Sequence, residues 1–207
     1  PRLAGQVFVA GQPYGASHRE NHALRLRALP EEPLKSASVA ELSVSHNMAL
    51  RDFDQAPLTR RWLRFGAWTE RARAWIAEYG IKTRGAHAPI GSLSGGNVQR
   101  AVLARELAGD VKVLIAANPV FGLDFAAVAE IHARLLQVRA RGGAVLLISE
   151  DLDELRELAD RIVVMSEGRI VFEAPAETID RRTVGAHMGG GHGAPASNTS
   201  PAQEVAA

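Results

Sequence analysis

With 207 residues, 46% of them hydrophobic, the chain has enough apolar mass to bury an ordinary globular core. Its 24 basic and 23 acidic residues nearly cancel to a formal charge of +1, which removes any global electrostatic argument for nucleic acid or an anionic membrane surface as a partner. The absence of cysteine excludes a disulfide framework and thiolate metal sites and fits a cytosolic protein, and no apolar run approaches the ~20 residues needed to span a bilayer.

The chain opens at Pro1 without a methionine or a signal-peptide pattern, directly before a strand pattern, as expected of a piece of a longer polypeptide. Residues 6–9 alternate and end at a Gly11-Gln12-Pro13 turn, so a short strand with a hairpin-like exit is expected. A brief helix over 17–23 and a strand over 24–29 follow. Pro30 and Pro33 bracket two glutamates and predict an extended or turning loop. From 38 to about 80 the spacing of Val39, Leu42, Val44 and Met48, and then of Trp75, Ile76 and Tyr79, is helical and predicts a helical layer. Gly95 and Gly96 open a further helix with one apolar stripe of Val98, Val102, Leu103 and Leu107, closed by Gly109.

Strand and helix then alternate: strand 111–116, helix 125–140, strand 144–148, helix 152–159 and strand 162–165. This order argues for an α/β fold with a mainly parallel sheet. The turn at Ser166-Glu167-Gly168-Arg169 leads into a last antiparallel strand at 170–172. Residues 189–207, rich in Gly, Ala, Ser and Pro, are expected to be a disordered tail.

The chemistry concentrates in the octet Leu93-Ser94-Gly95-Gly96-Asn97-Val98-Gln99-Arg100. A serine and two glycines at the mouth of a helix make an anion site, since unpaired backbone N–H groups, the positive helix end and the serine hydroxyl converge there. Read alone, the same string is a helix cap. A GxxxxGK[ST] loop does not occur in these 207 residues.

Downstream of the octet come Val113-Leu114-Ile115-Ala116-Ala117-Asn118-Pro119, then Gly122-Leu123-Asp124, Leu147-Ile148-Ser149-Glu150-Asp151 and Asp160 to Ile170. In this order the motifs resemble the second half of an ABC-transporter nucleotide-binding domain, with signature, Walker B, D-loop, switch segment and closing hairpin. The LSGGN form of the signature is similar to the C-terminal ATPase domain of tandem sugar and nucleoside importer subunits. The resemblance implies an incomplete P-loop-NTPase domain: residues 1–30 as an antiparallel strand part, 31–91 as Q-loop and helical subdomain, and 92–188 as signature helix and second half of the core. It puts Glu31 at the Q-loop position, Asp124 at the D-loop aspartate, and the P-loop upstream of Pro1.

The departures from the family pattern carry equal weight. Ala117 and Asn118 stand where the family's Walker B has Asp-Glu; an alanine cannot ligate a hard cation, and a neutral amide cannot act as a general base. Glu150 stands at the switch histidine, where an anion opposes the γ-phosphate. The resemblance therefore implies a domain without an intact catalytic site of its own. It would donate Leu93, Ser94, Gly95, Gly96 and Asn97 to ATP and Mg²⁺ held by a sister ATP-binding domain. Transmembrane permease subunits are the expected further partners, at the cytoplasmic face of the plasma membrane, and self-association of the chain is expected because a sheet lacking its P-loop strand leaves apolar surface uncovered.

Two other classes compete: a soluble non-transporter ABC ATPase of translation or repair type, and a pairing or regulatory remnant without catalysis. The long basic insertion or coiled coil expected of the former is not visible. Arg60, Arg61, Trp62, Arg64, Phe65 and Trp68 mix basic and aromatic residues, but a subdomain face or an amphipathic surface accounts for them better than nucleic acid does. For Asp124 the competing reading is a helix N-cap. The histidines, His187 and His192 among them, show no metal-ligand spacing, and the acidic residues 150–157 read as a solvated helix face.

Overall fold

The computed structural model describes residues 5–54 and 62–188. The chain divides after Glu150 into two compact units. The first begins with a two-residue antiparallel pair, β1 (Phe8–Val9) and β2 (Gln12–Pro13). Helix α1 (His18–Ala23) starts at a capping box in which the Ser17 hydroxyl accepts from the Glu20 N–H while the Glu20 carboxylate accepts from the Ser17 N–H.

A parallel three-stranded sheet follows, built from β3 (Leu26–Leu29), β4 (Val113–Ala117) and β5 (Ala144–Ile148) in that order. Leu26 pairs with Val113, and Val113 with Ala144. The long excursion between β3 and β4 holds α2 (Pro33–Ser36), α3 (Val44–Ala49), α4 (Phe65–Glu78) and α5 (Gly95–Glu106). Helix α6 (Phe125–Ala140) crosses from β4 to β5 and packs on β5. The second unit contains α7 (Leu152–Leu158), the antiparallel pair β6 (Arg161–Ser166) and β7 (Arg169–Pro175), and α8 (Arg181–Met188), around a core of Ile162, Val164, Ala176, Ile179 and Val184.

Several expectations need correction. The segment after Pro30 is not simply a loop, because Pro33 occupies the first position of α2, where its missing N–H costs nothing and its fixed φ suits a helix. Among the described residues of 38–80, the expected helical layer contains α3 and α4. Strand β6 was expected to extend the parallel series, yet among the described residues it pairs only with β7. Helix 125–140 and strand 144–148 have the expected bounds. The tail from 189 onward, together with Arg60 and Arg61, lies outside the described residues.

Helix α5 departs furthest from its pattern. A single apolar stripe was expected, but every residue from Asn97 to Glu106 except Arg100 is buried, polar ones included. It packs against α2, α3, α4 and β3, so contact surrounds it on several sides and its polar side chains must find internal partners. At its C-terminal end Glu106, 1% exposed, accepts from Arg51 Nη2 at 2.5 Å and Arg51 Nε at 3.2 Å, and from Arg105 Nε at 2.8 Å. Arg105 also donates to the carbonyls of Ala37 at 2.8 Å and Asn47 at 3.1 Å. One carboxylate thus neutralises two cations and ties α5 to the residues around α2 and α3.

Removing that charge leaves two poorly solvated guanidinium groups without a counter-ion. The Glu106→Gln variant is expected to lose about 3 kcal/mol of unfolding free energy, measured by denaturant titration of the chain.

Candidate functional site

The start of α5 is the one part of that helix left open. Ser94 is its N-cap residue, with extended backbone at φ −65° and ψ 155°. Ser94 and Gly95 are exposed, Gly96 is half-buried and Asn97 is buried. The Ser94 carbonyl accepts from the N–H groups of Asn97 at 2.9 Å and Val98 at 3.0 Å, which leaves the N–H groups of Gly95 and Gly96 without an acceptor in the helix. The Ser94 hydroxyl does not cap the helix. Position makes Ser94 a cap residue, but its side chain is used otherwise.

That hydroxyl lies 2.8 Å from Asn97 Nδ2. On its other side Asn97 Oδ1 accepts from the backbone N–H of Lys82 at 2.7 Å. Residues 79–82 form a fixed corner: the Ile81 N–H reaches the Ile76 carbonyl, Gly80 has φ +58°, and the Arg134 guanidinium lies 3.8 Å over the Tyr79 ring. Burial pushes the Tyr79 hydroxyl above its usual range. Leu93, half-buried, follows a turn of 3₁₀ helix at Ile90–Ser92 and delivers the chain to Ser94.

The first turn of α5 is also fastened to the segment after β4. Buried Gln99 donates from Nε2 to the Pro119 carbonyl at 2.8 Å. A Cβ at Gly96 would stand 3.1 Å from Leu123 Cδ2, so glycine permits this close approach. The octet and the Gly122-Leu123-Asp124 segment are therefore in direct contact, a proximity that their separation in the sequence did not reveal.

The Asp124 carboxylate accepts from the Ala127 N–H at 2.9 Å and caps α6. At the end of β4, Ala117 offers no donor or acceptor side chain, and Asn118 adopts φ +42°, a left-handed conformation that asparagine tolerates better than most residues. Asn118 N–H donates to the Ile148 carbonyl at 2.7 Å, and its Oδ1 accepts from the Glu150 N–H at 3.2 Å. The amide thus bridges the ends of β4 and β5. Glu150 and Glu31 are both exposed. Among the described residues no group of three or more His, Asp or Glu side chains is placed to hold a metal ion. Ala117 and Asn118 do not supply the carboxylate by which proteins usually hold Mg²⁺, and the Asn118 oxygen already accepts from the Glu150 N–H.

Several other described residues singled out in the sequence have structural partners. Phe65 and Trp68 each meet the His46 ring at a centroid distance of 5.7 Å and each other at 4.8 Å, while Trp62 is exposed. His187 meets the Thr183 carbonyl and the Phe172 ring. Asp151 caps α7, and Asp153 pairs with Arg181. Sequence reasoning missed Lys82, Gln99, Pro119 and Leu123 as supports of the octet; Gln99 was inside it, but its direction depends on tertiary structure.

No family model matches the sequence. Among curated proteins it is 37% identical over 200 residues to the glucose import ATP-binding protein TsgD13 of Haloferax volcanii, covering 94% of this chain and 36% of that protein. It is 36% identical over 165 residues to the nucleoside import ATP-binding protein NupA of Lactococcus lactis, covering 79% of this chain and 33% of that protein. The chain is a homologue of ABC sugar and nucleoside import ATP-binding proteins.

This ABC import homologue spans about a third of the length of the curated relatives it matches. Its fold matches that of ABC ATPase cassettes: the ATP-binding cassette MJ0796, solved as a dimer bound to ADP and Pi, superposes with a TM-score of 0.68 at 19% identity, covering 84% of this chain and 74% of that one. CbiO1 of Clostridium perfringens gives 0.60 at 21% identity, covering 84% and 67%. No helix among the described residues is long and apolar enough to cross a membrane.

In this ABC homologue the capping role of Asp124 is separable from any role at a domain interface. Asp124→Ala is expected to cost about 1 kcal/mol through loss of the cap, with Asp124→Asn recovering most of it, as read from thermal unfolding.

Proposed function

We propose that this chain is part of an ABC importer nucleotide-binding domain that donates its signature segment to ATP held by a sister domain. The carrying observation is an asymmetry within one unit. Ser94 and Gly95 stand open at the mouth of α5, whereas the positions that would support hydrolysis hold an alanine and an asparagine whose amide is already bonded to the Glu150 N–H. The names of the relatives, import ATP-binding proteins for glucose and nucleosides, support a sugar or nucleoside solute class.

In this reading ATP, with its Mg²⁺, is bound mainly by the sister domain. The Ser94 hydroxyl and the N–H groups of Gly95 and Gly96 meet the γ-phosphate, where a helix mouth complements negative charge. Leu93 and Asn97 hold that turn in place. Asp124 lies near the sister domain, and Glu31 at the Q-loop position faces the side where permease subunits dock. Closure of the pair then moves the permease through α3 and α4, and the assembly works at the cytoplasmic face of the plasma membrane.

The isolated chain is accordingly expected to show no ATP turnover. In the complete polypeptide, Ser94→Arg is expected to abolish the sister site's ATPase by filling the γ-phosphate position with a long side chain. Turnover that is unchanged by Ser94→Arg contradicts the donor role and favours a remnant that pairs without supporting catalysis.

The exposed side of β5 supports self-association of the separate chain. Among the described residues β5 pairs only with β4, and Leu146 and Ile148 are 57% and 51% exposed. Such an apolar edge is a template for further strand pairing. Light scattering of the purified chain is expected to report an oligomer, and a monodisperse monomer contradicts this.

A further inference from the structure

The hydrogen-bond directions around Asn97 follow from the chemistry of its neighbours. The Lys82 backbone N–H can only donate, so the group 2.7 Å from it is the amide oxygen of Asn97. The amide nitrogen must then face Ser94, 2.8 Å away. An NH2 group can only donate, so the Ser94 oxygen accepts, and its own hydrogen is left to point elsewhere. Since the hydroxyl makes no helix-cap bond and Ser94 is exposed, that hydrogen is available to an acceptor in solvent or on another molecule.

We propose that Asn97 is a positioning residue that fixes the polarity of the Ser94 hydroxyl, holding it as an outward donor to a phosphate oxygen. The inference rests on the donor role of Ser94 argued above and deepens it. Asn97 does not itself reach the nucleotide: it is buried, 9% exposed, with both ends of its amide engaged inside the domain. Its anchor at Lys82 belongs to the corner that ends α4, so the direction of the Ser94 hydroxyl is coupled to the placement of the helical layer. A shift of residues 79–82 relative to α5 would release the amide and, with it, the orientation of the donor.

The Asn97→Asp substitution isolates this effect. One carboxylate oxygen still accepts from the Lys82 N–H, but the other turns from donor to acceptor and draws the Ser94 hydrogen inward. Lone pairs then face the phosphate. In the complete polypeptide, Asn97→Asp and Ser94→Ala are each expected to lower kcat for ATP by about 10- to 100-fold, the scale of one hydrogen bond to a charged group. KM for ATP should change little, because the sister domain holds most of the nucleotide.

The double variant decides the mechanism. If Asn97 acts through Ser94, Ser94→Ala combined with Asn97→Asp is no worse than Ser94→Ala alone, whereas simple repulsion of the phosphate by the new charge adds to it. Additive losses, or a wild-type kcat for Asn97→Asp beside an impaired Ser94→Ala, overturn the positioning role. A wild-type kcat for Ser94→Ala instead overturns the donor reading on which it stands. Should Asn97→Asp fail to fold, exchange of the Asn97 side-chain amide protons, followed by NMR with nitrogen-15 asparagine, gives a second measurement. One proton is expected to be protected in the wild type and released in Ser94→Ala; equal exchange in both overturns the proposal.

Discussion

Helix α5 is buried over nearly its whole length, and α2, α3, α4 and β3 pack around it. Its apolar residues Val98, Ala101, Val102, Leu103 and Ala104 are almost fully excluded from solvent. Its polar ones are the points of attachment. Glu106 and Arg105 fasten the C-terminal end to Arg51 and to the carbonyls of Ala37 and Asn47, while Asn97 and Gln99 fasten the N-terminal end to Lys82 and Pro119. Burial makes each of these bonds obligatory, because an unpaired polar group there is costly. The result is a rigid rod that emerges only at Ser94 and Gly95.

In the proposed reading, one half of a shared nucleotide site persists in this arrangement while the other half is altered. The Ser94 turn is held by Asn97, Gln99 and their partners, while Ala117 and Asn118 lie at the exit of β4. At that exit Asn118 combines a left-handed backbone with an amide that joins the ends of β4 and β5. Ala117 and Asn118 carry no charge, and the Asn118 amide oxygen accepts from the Glu150 N–H. The Ser94 turn and the exit of β4 are therefore in contact, through Gln99 with Pro119 and Gly96 with Leu123, while the Asn97 bonds to Lys82 and Ser94 lie apart from that exit.

Much of this was legible in the sequence because it is local. Alternating apolar runs marked β4, α6 and β5, with the bounds of α6 and β5 correct to the residue, and Gly95-Gly96 marked the start of α5. Pro33 was misread as a breaker because the same residue that stops a helix also starts one well. The helix α5 was read as amphipathic because Asn97, Gln99, Arg105 and Glu106 look like a solvent face; only tertiary partners turn such residues into core. The turn at 166–169 marked the antiparallel pairing of β6 with β7, whereas the contact of Gly96 with Leu123 joins segments that no periodicity connects. For Asp124 the helix-cap reading was available from the sequence and is what the geometry shows.

The central claim is that Ser94 and its neighbouring N–H groups lie against the γ-phosphate of a nucleotide bound by another domain. Vanadate, trapped with ADP in place of that phosphate, cleaves nearby backbone under ultraviolet light, and the cut sites can be mapped by mass spectrometry. In the complete polypeptide the account predicts cleavage within residues 94–96 of this chain. Cleavage confined to the sister domain, with residues 94–96 intact, would contradict it.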